Sequence, residues 1–159
     1  MGRDVKAGRW TAEIEGDFVV FLIGAGPSKL RLLRSLGDLG GRRGMKHMLD
    51  HLVAHPDKGL LGYQLGLTTI VQYWRSFEQL EAFARDADDP HLAVWRSYWK
   101  RVGTSARTGI WHETFLVRAG EYEAIYANMA PRGLGKAGRL VPAAEAVGAR
   151  GRLRAATSP

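Results

Sequence analysis

The sequence predicts an α+β fold: a split βαβ, ferredoxin-like protomer with an antiparallel sheet and its helices on one face. The first 130 residues alternate in the order β, α, β, β, α, β, with extra pieces. Residues 68–76 read as a strand that runs straight into a helix, because Ser76 is a good N-cap and Gln79 stands three residues on, the spacing of a capping box. Residues 109–117, GIWHETFLV, crowd β-branched and aromatic side chains into a short run and read as the last core strand.

The other elements follow from periodicity. Residues 10–23 alternate at first, with Trp10, Ala12 and Ile14 against Thr11, Glu13 and Glu15. They turn at Gly16-Asp17 and then run apolar to Gly24-Ala25-Gly26-Pro27. Leu30, Leu33 and Leu36 have helical spacing, and Gly37, Gly40, Gly41 and Gly44 break the pattern. A second helix spans 45–54 with Met45, Met48, Leu49, Leu52 and Val53 on one face, and it stops before Pro56. Residues 59–67 and 68–76 form neighbouring strands. Helices over 77–84 and 91–102 follow, the first burying Leu80 and Phe83, the second presenting Leu92, Trp95 and Trp99. A turn at Ala119-Gly120 leads to a final apolar-aromatic run, 122–129.

Such a sheet has a second face, and no further segment of the first 130 residues is evident to cover it. A second copy of the chain is the simplest cover, so the sequence predicts a homodimer whose two sheets close around a shared interior. The boundaries that follow are one domain over 1–130 and a basic Ala/Gly/Arg-rich C-terminal tail over 131–159, irregular and only partly ordered.

Composition narrows the function. No apolar run approaches the ~20 residues needed to span a bilayer, and the longest, residues 18–23, follows acidic residues and not the basic start of a signal peptide. With no cysteine there are no disulfides, thiolate metal sites or Cys nucleophile, which fits a cytoplasmic protein. The net charge of +7 looks like a nucleic-acid signal until it is mapped. Residues 131–159 hold six basic groups against Glu145 alone, so the body is nearly neutral. The tail lacks the interleaved aromatics of a single-strand binder, and no nucleic-acid partner is expected.

His112 and Glu113 stand side by side in a strand, so they point to opposite faces. With both faces covered, at least one of them is buried and must be paired or shift its pKa. His112 shares its face with Ile110, Thr114 and Leu116. It reads either as a ring aimed into the barrel, serving as acid/base or haem ligand, or as a core histidine bonded to a carbonyl. Glu113, with Trp111 and Phe115, is expected to serve the structure, paired with Arg75 or Arg101. Tyr122, Tyr126 and Asn128 line one face if 122–129 is extended, where Tyr126 and Asn128 can donate to an oxyanion. His91, at a helix start, suits a neutral ring or a positioning role. His47, His51 and His55 have metal-like spacing but point away from the apolar stripe of their helix, so a solvated face is expected. Tyr63, Trp74 and Trp95 are candidate pocket walls among aromatics that mostly pack the core. The sequence Gly24-Ala25-Gly26-Pro27 lacks the third glycine of a dinucleotide loop.

The run TTIVQYWRSFEQLEAFARDADDPHLAVWRSYWKRVG followed by GIWHETFLV resembles the antibiotic-biosynthesis monooxygenases, small dimeric α+β barrel enzymes. Six collinear blocks (EGDFVVFLIG, GLLGYQL, VQYWRSFEQLEAFAR, DDPHLAVW, GIWHETFLV and YEAIYANMAPRGLGKAG) are similar to one branch of them. That branch, long a domain of unknown function, is grouped with a fumagillin-pathway monooxygenase, and some members are labelled phenylacetaldoxime dehydratase-like. The resemblance covers roughly residues 8–140. It implies a dimeric α+β barrel and an oxidoreductase of the monooxygenase type, using O₂ on an apolar aromatic, terpenoid or polyketide biosynthetic intermediate. His112, Tyr126 and Asn128 would be the catalytic residues, and Tyr63, Trp74, Trp95 and His91 would bind substrate. Either no cofactor is used, with His112 as base, or haem is bound with His112 as its axial ligand. Two alternatives stand beside this: a haem-dependent aldoxime dehydratase-like lyase, and a non-catalytic dimer that binds hydrophobic ligands.

Overall fold

The computed structural model describes residues 5–27, 39, 44–105, 108–143 and 148–156. The helix expected over 29–36 lies outside them. Strands β2 (Phe18–Pro27), β3 (Leu60–Leu65), β4 (Thr69–Trp74) and β5 (Thr108–Val117) form one antiparallel sheet in the order β3-β4-β2-β5. That is the ferredoxin-like order, with the first and third of its four strands in the centre. Helix α1 (Met45–Ala54) joins β2 to β3, while α2 (Phe77–Arg85) and α3 (Pro90–Val102) join β4 to β5. The α+β class and the split βαβ order are therefore as the sequence predicts.

The helices pack on one face of this sheet. Val19 and Trp74 from the strands meet Met48 and Leu52 of α1 and Leu80 and Phe83 of α2, with Phe21 and Val94 at the margin. Trp74 has no exposed surface, and its indole N–H donates to Gln72 Oε1 at 2.9 Å, so its one polar atom is satisfied inside the core. At the entrance to α2 the hydroxyl of Ser76 accepts from the Gln79 N–H, as the capping pattern requires. The Gln79 side chain does not close the box; it donates to Asp57 O instead. Gly59, at φ 91°, leaves room for it, since a Cβ there would meet the Gln79 amide.

The opposite face differs from expectation in two ways. First, residues 10–23 do not serve one sheet. β1 (Lys6–Glu13) belongs to a second, three-stranded sheet in the order β6-β1-β7, with β6 at Tyr126–Met129 and β7 at Arg139–Pro142. The chain changes sheets at the Gly16-Asp17 turn, where Gly16 takes φ 69°. Second, the described residues beyond 130 include regular elements. Helix α4 (Leu134–Ala137) buries Leu134, β7 pairs with β1 from Trp10↔Pro142 to Glu13↔Arg139, and α5 (Ala149–Ala156) follows. Ala12, Ile14, Phe18 and Leu134 make a second core against Val20, Tyr73 and Tyr126. Tyr122 fastens it: its hydroxyl accepts from Ile14 N at 2.7 Å and its ring meets Phe18 edge-on. Part of the face reserved for a second copy is thus covered by the chain itself.

Candidate functional site

Strand register decides which side each candidate faces. In β2 and β5 the pairs Val19↔Leu116, Phe21↔Thr114 and Ile23↔His112 lie on one face, and Phe18↔Val117, Val20↔Phe115, Leu22↔Glu113 and Gly24↔Trp111 on the other. Since Val19 and Phe21 pack with the helices, His112 faces the helix side and not the opposite, barrel-forming side. Its ring lies 5.4 Å from that of Phe21. Among the described residues it makes no hydrogen bond.

Neither His112 nor Glu113 is buried; both are exposed. The premise that the last strand is covered on both faces fails because β5 is an edge strand beyond the reach of α1 and α2. Glu113 has neither expected partner. The Arg75 guanidinium donates to Glu15 O, and Arg101 donates to the Ser97 hydroxyl. Beside Glu113, the Trp111 indole lies across Gly24, where a Cβ would fall 2.4 Å from the indole nitrogen. Only glycine allows that overlay.

Helix α3 stands on the His112 side, since Val94 packs into the helix-side core. It presents a row of rings: His91 stacks on Trp95 at 6.4 Å, and Trp95 meets Trp99 edge-on at 5.6 Å, with the two tryptophans 38% and 48% exposed. His91 Nδ1 lies 2.8 Å from Ala84 O. A carbonyl only accepts, so Nδ1 carries the proton and the neutral ring keeps its lone pair on Nε2. Trp74 is sealed in the core, and Tyr63, at the far edge of the sheet, lies under the Lys136 ammonium at 5.4 Å.

Tyr126 and Asn128 do not join His112. Asn128 takes φ 49° at an irregular point of the β1–β6 pairing, and its Oδ1 accepts from Gly8 N at 2.8 Å. Its amide secures β1. Tyr126 lies on the opposite side of the main sheet, in a cleft of about 540 Å³ with Phe18, Val20, Tyr73, Val117 and Leu134. The hydroxyl of Tyr126 accepts from Gly135 N at 2.7 Å, and that of Tyr73 accepts from the Leu134 N–H. Burial raises both phenols above their ordinary pKa, with the neighbouring Tyr126 adding to the rise at Tyr73.

One polar cluster escapes sequence reasoning. Asp89, buried at the N-cap position of α3, does not cap it; its carboxylate holds His51 Nε2 and Lys58 Nζ, each at 2.8 Å. The hydrogen bond to Asp89 raises Lys58 above its ordinary pKa. So His51 does not lie on a solvated face, whereas His47 and His55 are exposed. Three elements meet at this carboxylate, and no spacing along the chain announces that. Among the described residues no group of three or more His, Cys, Asp or Glu is placed to hold a metal ion, and no helix is long and apolar enough to cross a membrane.

With this geometry in place, comparison with known proteins is decisive at the family level. The family model described as Monooxygenase af470-like matches residues 18–134. The chain belongs to the Monooxygenase af470-like family. The match runs from the first residue of β2 to the first of α4, so it spans the four-stranded sheet, its helices and the strand of the second sheet that carries Tyr126. Monooxygenase af470 of Aspergillus fumigatus is 35% identical over 72 residues, which is 45% of this chain and 25% of that protein. Among solved structures, an aldoxime dehydratase (OxdRE) crystallised with butyraldoxime superposes with a TM-score of 0.62 at 16% identity, covering 97% of this chain and 42% of that one. A second aldoxime dehydratase gives 0.56 at 17% identity, covering 98% and 45%. These two show the fold alone, and the chain spans less than half of their length.

Proposed function

We propose that this family member is a homodimeric oxidative enzyme that acts on an apolar aromatic, terpenoid or polyketide intermediate bound on the helix side of the main sheet, with His112 as its reactive group. The observation that carries this is the placement of His112: an exposed imidazole without a hydrogen bond among the described residues, set against Phe21. Family membership supports the oxidative class.

As a base, the neutral imidazole removes the proton of an acidic phenol or enol. The electron-rich ring then reacts with O₂; one oxygen atom replaces the ring hydrogen as a carbonyl and the other leaves in water. His91, with its lone pair fixed on Nε2, is the second imidazole on this side of the sheet, and the Trp95 and Trp99 rings suit a flat apolar substrate. His112 also fits haem in offering one nitrogen donor to its iron. His112 would hold it, and the group would supply oxidative or aldoxime-dehydrating chemistry.

The dimer rests on the other face. Trp111 and Phe115 flank Glu113 there, 41% and 49% exposed on an edge strand, an apolar patch that a second copy would cover.

Purified protein tests each part. A Soret band near ~400 nm, native or gained with hemin and lost in His112→Ala, establishes the haem form. A colourless protein that consumes O₂ with an acidic phenol, again dependent on His112, establishes the cofactor-free form. A colourless dimer that binds apolar molecules equally well with and without His112, and consumes no O₂, overturns the enzyme reading. A monomer by light scattering at micromolar concentration overturns the dimer.

A further inference from the structure

The cleft between the two sheets is closed off from His112 by the main sheet, and the mechanism above does not use it. Its lining includes apolar side chains (Phe18, Val20, Val117 and Leu134) and the phenols of Tyr73 and Tyr126. Consecutive amides, Leu134 N–H and Gly135 N–H, donate to the oxygens of Tyr73 and Tyr126. The two hydroxyls are therefore held by neighbouring backbone groups on one short turn. Gly133 permits this approach, since a Cβ there would lie 3.0 Å from the Tyr73 oxygen, and at Gly135 one would lie 2.8 Å from the Tyr126 ring. Each phenol spends its acceptor capacity on an amide, and among the described residues neither O–H proton finds an acceptor. A half-buried hydroxyl with an unused proton needs an acceptor to be fully satisfied.

We infer that this cleft is a second binding site, for an apolar molecule bearing a neutral carbonyl whose oxygen accepts from the Tyr73 and Tyr126 hydroxyls. A neutral acceptor suits the site better than an anion. The donors are uncharged phenols, and the lining includes Glu121 and Glu123 as well as Arg132, so it offers no surplus of positive charge. The raised pKa of both phenols keeps them protonated, and therefore donors, throughout the neutral range. The volume of about 540 Å³ exceeds that of a bicyclic ring system with a short side chain. This site does not depend on the role given to His112.

The test is fluorescence titration with prodan, a dimethylaminonaphthalene ketone, competed by 2-acetylnaphthalene and by 2-ethylnaphthalene, which has the same shape without the carbonyl. Wild-type protein should blue-shift prodan emission and prefer the ketone competitor. Tyr73→Phe and Tyr126→Phe should each weaken the ketone about fivefold and leave the hydrocarbon unchanged. Ala124→Trp, which fills the cleft, should abolish binding of both, and His112→Ala should change neither. Circular dichroism of each variant identifies any that do not fold, and either single phenylalanine variant suffices. The proposal is overturned by no prodan binding to wild-type protein, by equal affinity for the ketone and the hydrocarbon, by a ketone preference that survives both phenylalanine variants, or by loss of binding in His112→Ala with Ala124→Trp unaffected.

Discussion

Val19 and Leu116 sit directly opposite one another on adjacent strands, on the same face of the same sheet, yet one is 3% exposed and the other 73%. The strand pattern treats them alike. What differs is the layer above: α1 and α2 cover β4 and β2 and stop before β5. A single face is therefore core at one strand and open surface at the next, and the reactive candidate lies on the open side of that line. The opposite face shows the same division. Phe18, Val20 and Tyr73 are roofed by α4 and the second sheet, while Trp111 and Phe115 are not. A helix layer that covers the whole sheet makes a stable core; one that stops a strand short leaves a ledge for a ligand or a partner.

Substitutions across that line should separate the two regions. Trp74→Ala, in the covered part, should cost about 3–5 kcal/mol by chemical denaturation, from the cavity left and the loss of the indole contact with Phe83. Leu134→Ala, in the core on the opposite face, should cost about 2–3 kcal/mol, which would show that residues beyond 130 are part of the folding unit. Were its cost near zero, the division into a domain and a tail would stand after all. Ser76→Ala should remove about 1 kcal/mol by stripping the cap from α2. Leu116→Asp should change monomer stability by less than about 0.5 kcal/mol; a cost well above that would mean β5 is covered and the contrast with Val19 false.

The phenols supply a pH test on the other side of the sheet. Tyr73 and Tyr126 ionise above their unfolded value of 10.0, so the native state keeps these protons longer than the unfolded chain. Their contribution to stability is complete below pH 10.0 and falls as pH rises from there through their folded pKa values. In the doubly substituted Tyr73→Phe, Tyr126→Phe protein, the alkaline loss of stability should be smaller, as thermal melts at successive pH values would show.

Much of the local structure was legible along the chain. The α1 boundaries, the Ser76 cap, the hairpin of β3 and β4 and the alternation that splits His112 from Glu113 all depend on neighbours a few residues apart. Periodicity and capping report such neighbours directly. Less of the site was legible. The even spacing of Tyr126 and Asn128 predicts one face of a strand, but the irregular pairing of β6 with β1 and the left-handed backbone at Asn128 separate them. The Asp89 cluster and the pairing of Tyr73 with Tyr126 join residues tens of positions apart, beyond any local pattern.

The sequence by itself determined the α+β class, the split βαβ order and the fact that His112 and Glu113 part company, because these follow from side-chain period and backbone propensity. Only the tertiary structure decided which face of β5 is which, that β5 is an edge, that the chain covers part of its own second face, and that Tyr126 lies across the sheet from His112. Those outcomes depend on how far each packed layer extends, a property of three-dimensional contact that strand alternation alone does not encode.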